Sequence, residues 1–279
     1  MSSPDQSPPQ AEPFTNVLER MNRFQEPEAR TIIADLGLPP GSRGVDVGCG
    51  VGLYTLWLAE AVGPEGRVLG IEPNVERVEA ARALVGPTLF PPRLEFREGD
   101  ALKIDAADAA FDWVWCGDVL HHVQETSRAL SEFTRVVRPG GRIIVKESQL
   151  LHALFLPGQP VLERHIRQAE ADHNRHEGGE FSFEERRQRT LGWLRAAGLS
   201  VEIFRTYLLE RRAPLPDVAS DYIQRVVFDR NWGPRLRERL SPEDWEQRSS
   251  LCEASSPACV LNDPDYYCIY PITVLVTRR

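Results

Sequence analysis

Asp46, Gly48, Gly50 and Gly52 stand at alternate positions in one stretch, Arg43 to Gly52, that reads Arg-Gly-Val-Asp-Val-Gly-Cys-Gly-Val-Gly. Glycines spaced in this way let backbone approach a ligand with no side chain between. Further acids follow in order: Glu72, then Asp100, then the polar run Cys116-Gly117-Asp118-Val119-Leu120-His121-His122. A carboxylate at Glu72 can accept two hydrogen bonds from a ribose diol, as in dinucleotide-binding folds. Asp100 can accept from an adenine amino group, and an imidazole at His121 or His122 can take a proton from a reacting group. Each acid alone is as well explained as an exposed loop carboxylate or a helix cap. Their order after a single glycine turn is what points to a nucleotide.

These residues need elements to hold them. Val45 and Val47 read as the end of a buried parallel strand, and Leu53 to Val62 as the helix opened by the glycine turn. The start of that helix turns unpaired N–H groups and a positive dipole end toward the ligand. The chain then alternates: strand Arg67–Ile71, helix Val75–Val85, strand Leu94–Arg97, strand Phe111–Cys116, helix Thr126–Val137, strand Arg142–Lys146. That alternation specifies a parallel sheet covered on both faces, whose ligands sit outside the C-terminal strand ends. Ahead of it, Phe14 to Leu36 reads as two helices broken at Pro27. Leu18, Met21 and Phe24 recur there at helical spacing. Packing on the body is the simpler account; a helix that lids a pocket, with Phe24 near its contents, is the sharper one.

Composition narrows the class. A chain of 279 residues with 42% hydrophobic and 27% charged residues suits one large domain with insertions, or two small ones. The net charge of −8 argues against a nucleic-acid partner, and Arg235, Arg237 and Arg239 read as a solvated helix face. Five scattered cysteines with no Cys-x-x-Cys pair suit reduced thiols in the cytoplasm, without a disulfide framework or zinc site. Neither a signal peptide nor a membrane-spanning run of ~20 apolar residues is read, so no membrane partner is expected. Met1 to Pro13, rich in Ser, Pro and Gln, is expected to be a disordered tail.

Taken together, these segments resemble the class I S-adenosylmethionine-dependent methyltransferases, in the small-molecule branch that includes quinone-biosynthesis enzymes. Asp46-Val47-Gly48-Cys49-Gly50-Val51-Gly52 matches the family's first motif, Glu72 its ribose acid, and Gly99-Asp100-Ala101 its adenine-side motif. Phe111-Asp112 with Asp118 to His122 matches the fourth motif, and Val136 to Arg142 the turn before the fifth strand. The resemblance is strong over Gly44 to Glu147. It implies a Rossmann-like, doubly wound α/β fold with a seven-stranded sheet, the last strand antiparallel and inserted between the fifth and sixth. It also implies S-adenosylmethionine as cofactor, held by Asp46, Gly48, Cys49, Gly50, Glu72, Pro73, Gly99, Asp100, Ala101, Gly117 and Val119. His122 and His121 are the candidate catalytic bases, although a double histidine here also suits a role in orienting the loop and the methionine moiety.

The later elements follow the same pattern. Ser182-Phe183-Glu184-Glu185 is a capping box that starts a helix running to Ala197, with Gly198 as its stop. Ser200–Leu209 and Tyr267–Thr277 are the sixth and seventh strands of one domain spanning 14–279. Two inserts, Leu150 to Glu180 and Ala213 to Asp265, are candidates for a roof over the acceptor. His165, His173 and His176 fit one helix face poorly and lack a paired acid motif, so they read as surface residues and no metal is expected. Ser241-Pro242-Glu243-Asp244 is a clean helix start. Among Tyr222, Trp232, Trp245, Tyr266 and Tyr267, one or two would line a pocket for an apolar or aromatic acceptor.

A sulfonium methyl is already activated, so transfer to a small-molecule acceptor is an in-line displacement that rests on alignment and exclusion of water. Two rival classes remain. A nicotinamide oxidoreductase would show Gly-x-Gly-x-x-Gly, whereas Leu53 stands at the sixth place here. A protein that keeps the fold and binds the cofactor without methylating leaves no mark in the sequence, because catalysis by positioning has no obligatory residue.

Overall fold

The computed structural model describes residues 12–86, 93–174 and 181–279; the expected tail 1–13 lies almost wholly outside them, as does His176. Seven strands form one sheet in the order β3-β2-β1-β4-β5-β7-β6. They are β1 (Arg43–Val47), β2 (Arg67–Glu72), β3 (Leu94–Glu98), β4 (Phe111–Gly117), β5 (Val137–Ser148), β6 (Ser200–Arg212) and β7 (Tyr267–Arg278). The first five are mutually parallel, and β7 runs antiparallel between β5 and β6. The expected sheet is therefore the observed one.

The helices of the first half are α1 (Phe14–Asp35), α2 (Leu53–Val62), α3 (Val75–Val85) and α4 (Thr126–Val136). Helix α2 buries Leu53, Tyr54, Thr55, Trp57, Leu58, Ala59 and Val62. It is apolar nearly all round because the sheet lies on one side and α1 on the other. On the opposite face Ala129, Leu130, Phe133 and Val136 of α4 pack against Val45, Val114 and Val145. No helix stands between β3 and β4.

One expectation fails. The segment around Pro27 is a single helix, α1, and not two. Proline removes one N–H, that which would reach the carbonyl of residue 23. Arg23 and Pro27 are both exposed, so water can take the vacated acceptor. Contacts on either side hold the axis together: Gln25, Ala29, Ile32 and Ile33 are buried, and Arg30 meets Glu60 at 2.5 Å. β5 also begins earlier than expected, at Val137, because Phe111 pairs with Val137 ahead of a register shift.

The second half supplies α5 (Pro160–Asn174), α6 (Phe183–Ala196), α7 (Asp217–Asp221) leading into a π-helix (Tyr222–Asn231), and α8 (Pro242–Cys252). The capping box is formed: Ser182 N donates to Glu185 Oε2 at 2.8 Å, and Glu185 N to Ser182 Oγ at 3.3 Å. Gly198 ends the segment at φ +77°. Ser241 caps α8 by accepting from Asp244 N at 3.1 Å. Among the described residues no helix is long and apolar enough to cross a membrane, and no group of His, Cys, Asp or Glu could hold a metal ion.

Candidate active site

The C-terminal ends of β1, β2, β3 and β4 open into one cavity of about 920 Å3. Gly48, Cys49 and Gly50 enter its wall from the first turn, Glu72 and Pro73 from β2, Gly99 to Ala101 from β3, and Gly117 and Val119 from β4. His121 and His122 follow on a 3₁₀ turn, Leu120–His122. Every expected site residue except Asp46 is in that wall.

The glycine turn has a steric reason. Gly48 sits at φ +76°, and a Cβ there would lie 2.2 Å from Val119 Cγ2. Gly52 caps α2 at φ +81°, with Phe96 and Ala81 where a side chain would go. Beneath the turn Asp46 is buried and accepts from Thr55 Oγ1 at 2.6 Å. Burial, then the nearby Glu72 charge, pushes its pKa up to about 7. Asp46 thus braces the turn from below.

Glu72 is also buried, but it faces the cavity. Its two oxygens accept from Gly50 N at 3.1 Å and from Asn74 N at 3.2 Å, and Arg77 meets Oε1 at 3.2 Å. One carboxylate therefore fixes the glycine turn and the start of α3 together. Asp100, in contrast, is exposed, and its Oδ1 accepts from Leu102 N at 2.9 Å.

The histidine pair divides into unlike members. His121 is fully buried, with Nδ1 2.7 Å from Glu147 Oε2 and Nε2 2.8 Å from Arg187. A guanidinium only donates, so Nε2 accepts and the proton sits on Nδ1. Burial, then Arg187, lowers the His121 pKa well below its ordinary value. Burial, then the Asp118 charge, pushes Glu147 up to about 8. His122 lies exposed at the cavity wall, packed edge-on against Phe183 at 4.5 Å between ring centres. Its pKa is also shifted downward, by desolvation and the charges around His121 and Arg187; solvent at the wall moderates that shift.

A polar cluster that the sequence did not disclose lies under the far end of the cavity. Lys146, 1% exposed, pairs with Asp118 and donates to Gln25 Oε1 at 2.8 Å and Ser148 Oγ at 3.1 Å. Asp118 accepts from Ser148 N at 2.7 Å, while Tyr54 donates to Gln25 at 2.9 Å and Gln25 Nε2 to Tyr270 at 3.2 Å. Burial opposes the Asp118 charge, but Lys146 and then Arg187 outweigh it and hold the carboxyl below the usual range. Asp118 takes a left-handed φ of +54°, uncommon for a residue with a side chain. The one available signal was polarity: Lys146-Glu147-Ser148 directly follows the apolar run Ile143-Ile144-Val145.

Both inserts reach the cavity, the first through Leu150 and Glu170 and the second through Tyr222 and Val226. Leu18 and Met21 of α1 line it. Phe24 belongs to the core, stacked on Tyr222 at 4.4 Å. Trp232 and Tyr266 are buried as well, Trp245 is half-buried and Tyr267 is exposed. His165 is exposed and meets Asp244 at 3.0 Å.

Residues 45–145 match the methyltransferase domain family. A demethylmenaquinone methyltransferase of Bacillus cereus is 33% identical over 135 residues, which are 48% of this chain and 56% of that protein. Matched segments span 30% to 58% of the lengths of the curated relatives. Among solved structures, the YcgJ protein of Bacillus subtilis superposes with a TM-score of 0.57 at 18% identity, covering 90% of this chain and 98% of that one. A geranyl diphosphate methyltransferase in complex with S-adenosylmethionine gives 0.54 at 16%, covering 98% and 93%. Residues 45–145 of the chain thus match a methyltransferase domain, on a fold that the chain shares with these solved structures.

Proposed function

We propose that this protein transfers a methyl group from S-adenosylmethionine to a small, largely apolar acceptor. One observation carries the reading: motifs far apart in sequence, from Gly48 to Val119, meet around a single cavity that also receives the roof residues. The chain's residues suit the cofactor. Backbone at Gly48 and Gly50 that enters the cavity wall with no side chain, and a buried carboxylate at Glu72 facing the same space, fit an aminoacyl tail and a ribose. Glu72 would accept from the ribose hydroxyls, Gly99 to Ala101 would take the adenine, and Gly48 to Gly50 with Gly117 and Val119 would hold the methionine part.

When bound, S-adenosylmethionine supplies a methyl on a positively charged sulfur. The protein then has to align and to dry the site, and orientation can supply ~7–11 kcal/mol of the barrier. Leu18, Met21, Leu150 and Val226 exclude water, while Tyr222 and Tyr270 offer aromatic faces to the acceptor. His121 has both ring nitrogens engaged, so its role is to position the 3₁₀ turn. His122 remains the candidate base, and its lowered pKa makes it a weak one. The reading therefore favours an acceptor that needs little help to lose a proton.

The test is incubation with methyl-labelled cofactor and a panel of acceptors, beginning with demethylmenaquinone on the strength of the Bacillus cereus relative. Label moving to any acceptor supports the proposal. Cofactor that binds but is never consumed across the panel and a metabolite extract would instead mark a fold retained for binding or another reaction.

A further inference from the structure

A second groove, of about 510 Å3, opens at the other end of the sheet, where β1, β2 and β3 begin. It exists because the chain passes from β3 to β4 without a crossover helix, which leaves Leu69, Ala106, Ala110 and Phe111 as an apolar floor. Its rim is basic. Arg43 and Arg67 are direct register partners on adjacent parallel strands. Arg93 continues the row on the third, since Val68 pairs with Leu94 one residue further along and Val68 N donates to Arg93 O at 2.9 Å. All three line the groove.

The acids nearby are largely engaged elsewhere: Asp112 accepts from Arg43 N at 2.7 Å, but its carboxylate is shared with Arg138 at 2.5 Å. Glu95 is taken by Arg97 at 2.5 and 2.9 Å, and the charge of Asp105 also falls on Arg97. Arg93 meets Glu65 at 3.3 Å, but that glutamate is 83% exposed, so water screens the pair. Arg43 and Arg67 make no side-chain ion pair among the described residues. Like charges side by side on neighbouring strands repel, and here they persist in a chain whose net charge is −8.

We propose that this groove binds an oligophosphate, two or three linked phosphate groups, either free or carried by a nucleotide. Guanidinium forks match phosphate oxygens in pairs. Strands lie about 4.8 Å apart, so three neighbouring arginines form a row of roughly 10 Å. A row of that length suits a short polyphosphate and is too brief for the backbone of a nucleic acid. The apolar floor beside the row would receive the rest of a nucleotide.

The experiment is titration calorimetry of the full chain with tripolyphosphate, pyrophosphate, ATP and a duplex oligonucleotide, at low and moderate salt. Saturable tripolyphosphate binding is expected, weakened tenfold or more in Arg67→Gln and Arg43→Gln and restored in Arg67→Lys. Tighter binding of ATP than of tripolyphosphate would identify the nucleotide as the source and support the site. No saturable binding of any phosphate overturns the proposal. So does binding indifferent to Arg67→Gln in a variant whose melting temperature is unchanged, or a preference for the duplex over every small phosphate.

Discussion

Glu147 and His121 face each other at 2.7 Å with neither side chain exposed, and Arg187 holds the far side of the imidazole. Burial lifts the Glu147 carboxyl to about 8, so the folded protein keeps a proton there that the unfolded chain has lost. A raised pKa means that stability from this group grows as pH falls from about 8 toward 4.5 and fades as pH rises through 8. Glu147→Gln mimics the protonated form at every pH. Its stability relative to the parent should therefore be most favourable near pH 9 and decline by about 1.4 kcal/mol per pH unit below 8. Paired urea melts at pH 9, 7.5 and 6 measure this, and a constant offset would refute the buried-proton account.

Glu72→Ala should weaken binding of S-adenosylmethionine by about 1.5–3 kcal/mol, the worth of charge-assisted hydrogen bonds. The loss has two parts, because Glu72 also holds Gly50 N and Asn74 N. Glu72→Gln keeps one acceptor and should fall between. Calorimetry on folded variants checks the order, and an alanine variant that binds like the parent removes Glu72 from the ribose.

Gly48→Ala and Gly63→Ala separate space from backbone. Both glycines are left-handed, at φ +76° and +74°, but a Cβ at Gly63 meets nothing within 4 Å. Gly63→Ala should cost about 1–2 kcal/mol of stability and leave cofactor affinity intact. Gly48→Ala should cost more and abolish binding, since Val119 stands in the way. Thermal melts with and without the demethylated cofactor read both effects.

His122→Ala should lower cofactor affinity and leave the pH dependence of turnover with its limbs in place. The ring is packed against Phe183 and His121, which suits a wall residue. Loss of the acid limb with affinity preserved would make it the base.

The roof should be separable from the cofactor half. Exchanging residues 150–180 or 213–265 should redirect or abolish methyl transfer and spare cofactor binding, because the glycine turn and Glu72 lie on β1 and β2. Equilibrium dialysis alongside the acceptor panel tests it, and a chimera that folds but loses the cofactor counts against it.

Much of this was legible in the sequence because the signals are local. The glycine turn, the acid ending β2 and the capping box at Ser182 each sit within a few residues, and alternation of strand and helix dictated the sheet. Gln25, Lys146 and Tyr270 were not legible, since Gln25 and Tyr270 stand 245 residues apart and meet only in three dimensions. The arginine row was hidden for the same reason: Arg43, Arg67 and Arg93 look scattered until strand register aligns them. Pro27 misled because proline usually stops a helix, and only the exposure of its surroundings shows why this one does not.

The insertion of β7 between β5 and β6 also sets an order of assembly. The β1–β5 half joins strands through short crossovers and can form early, whereas the floor of the cavity waits for contacts such as Gln25 with Tyr270 across the whole chain. Closing so long a loop is the slow step in topologies of this kind. The acceptor end should thus be the last part to fold and the first to open, with amide exchange faster along β6 than along β1.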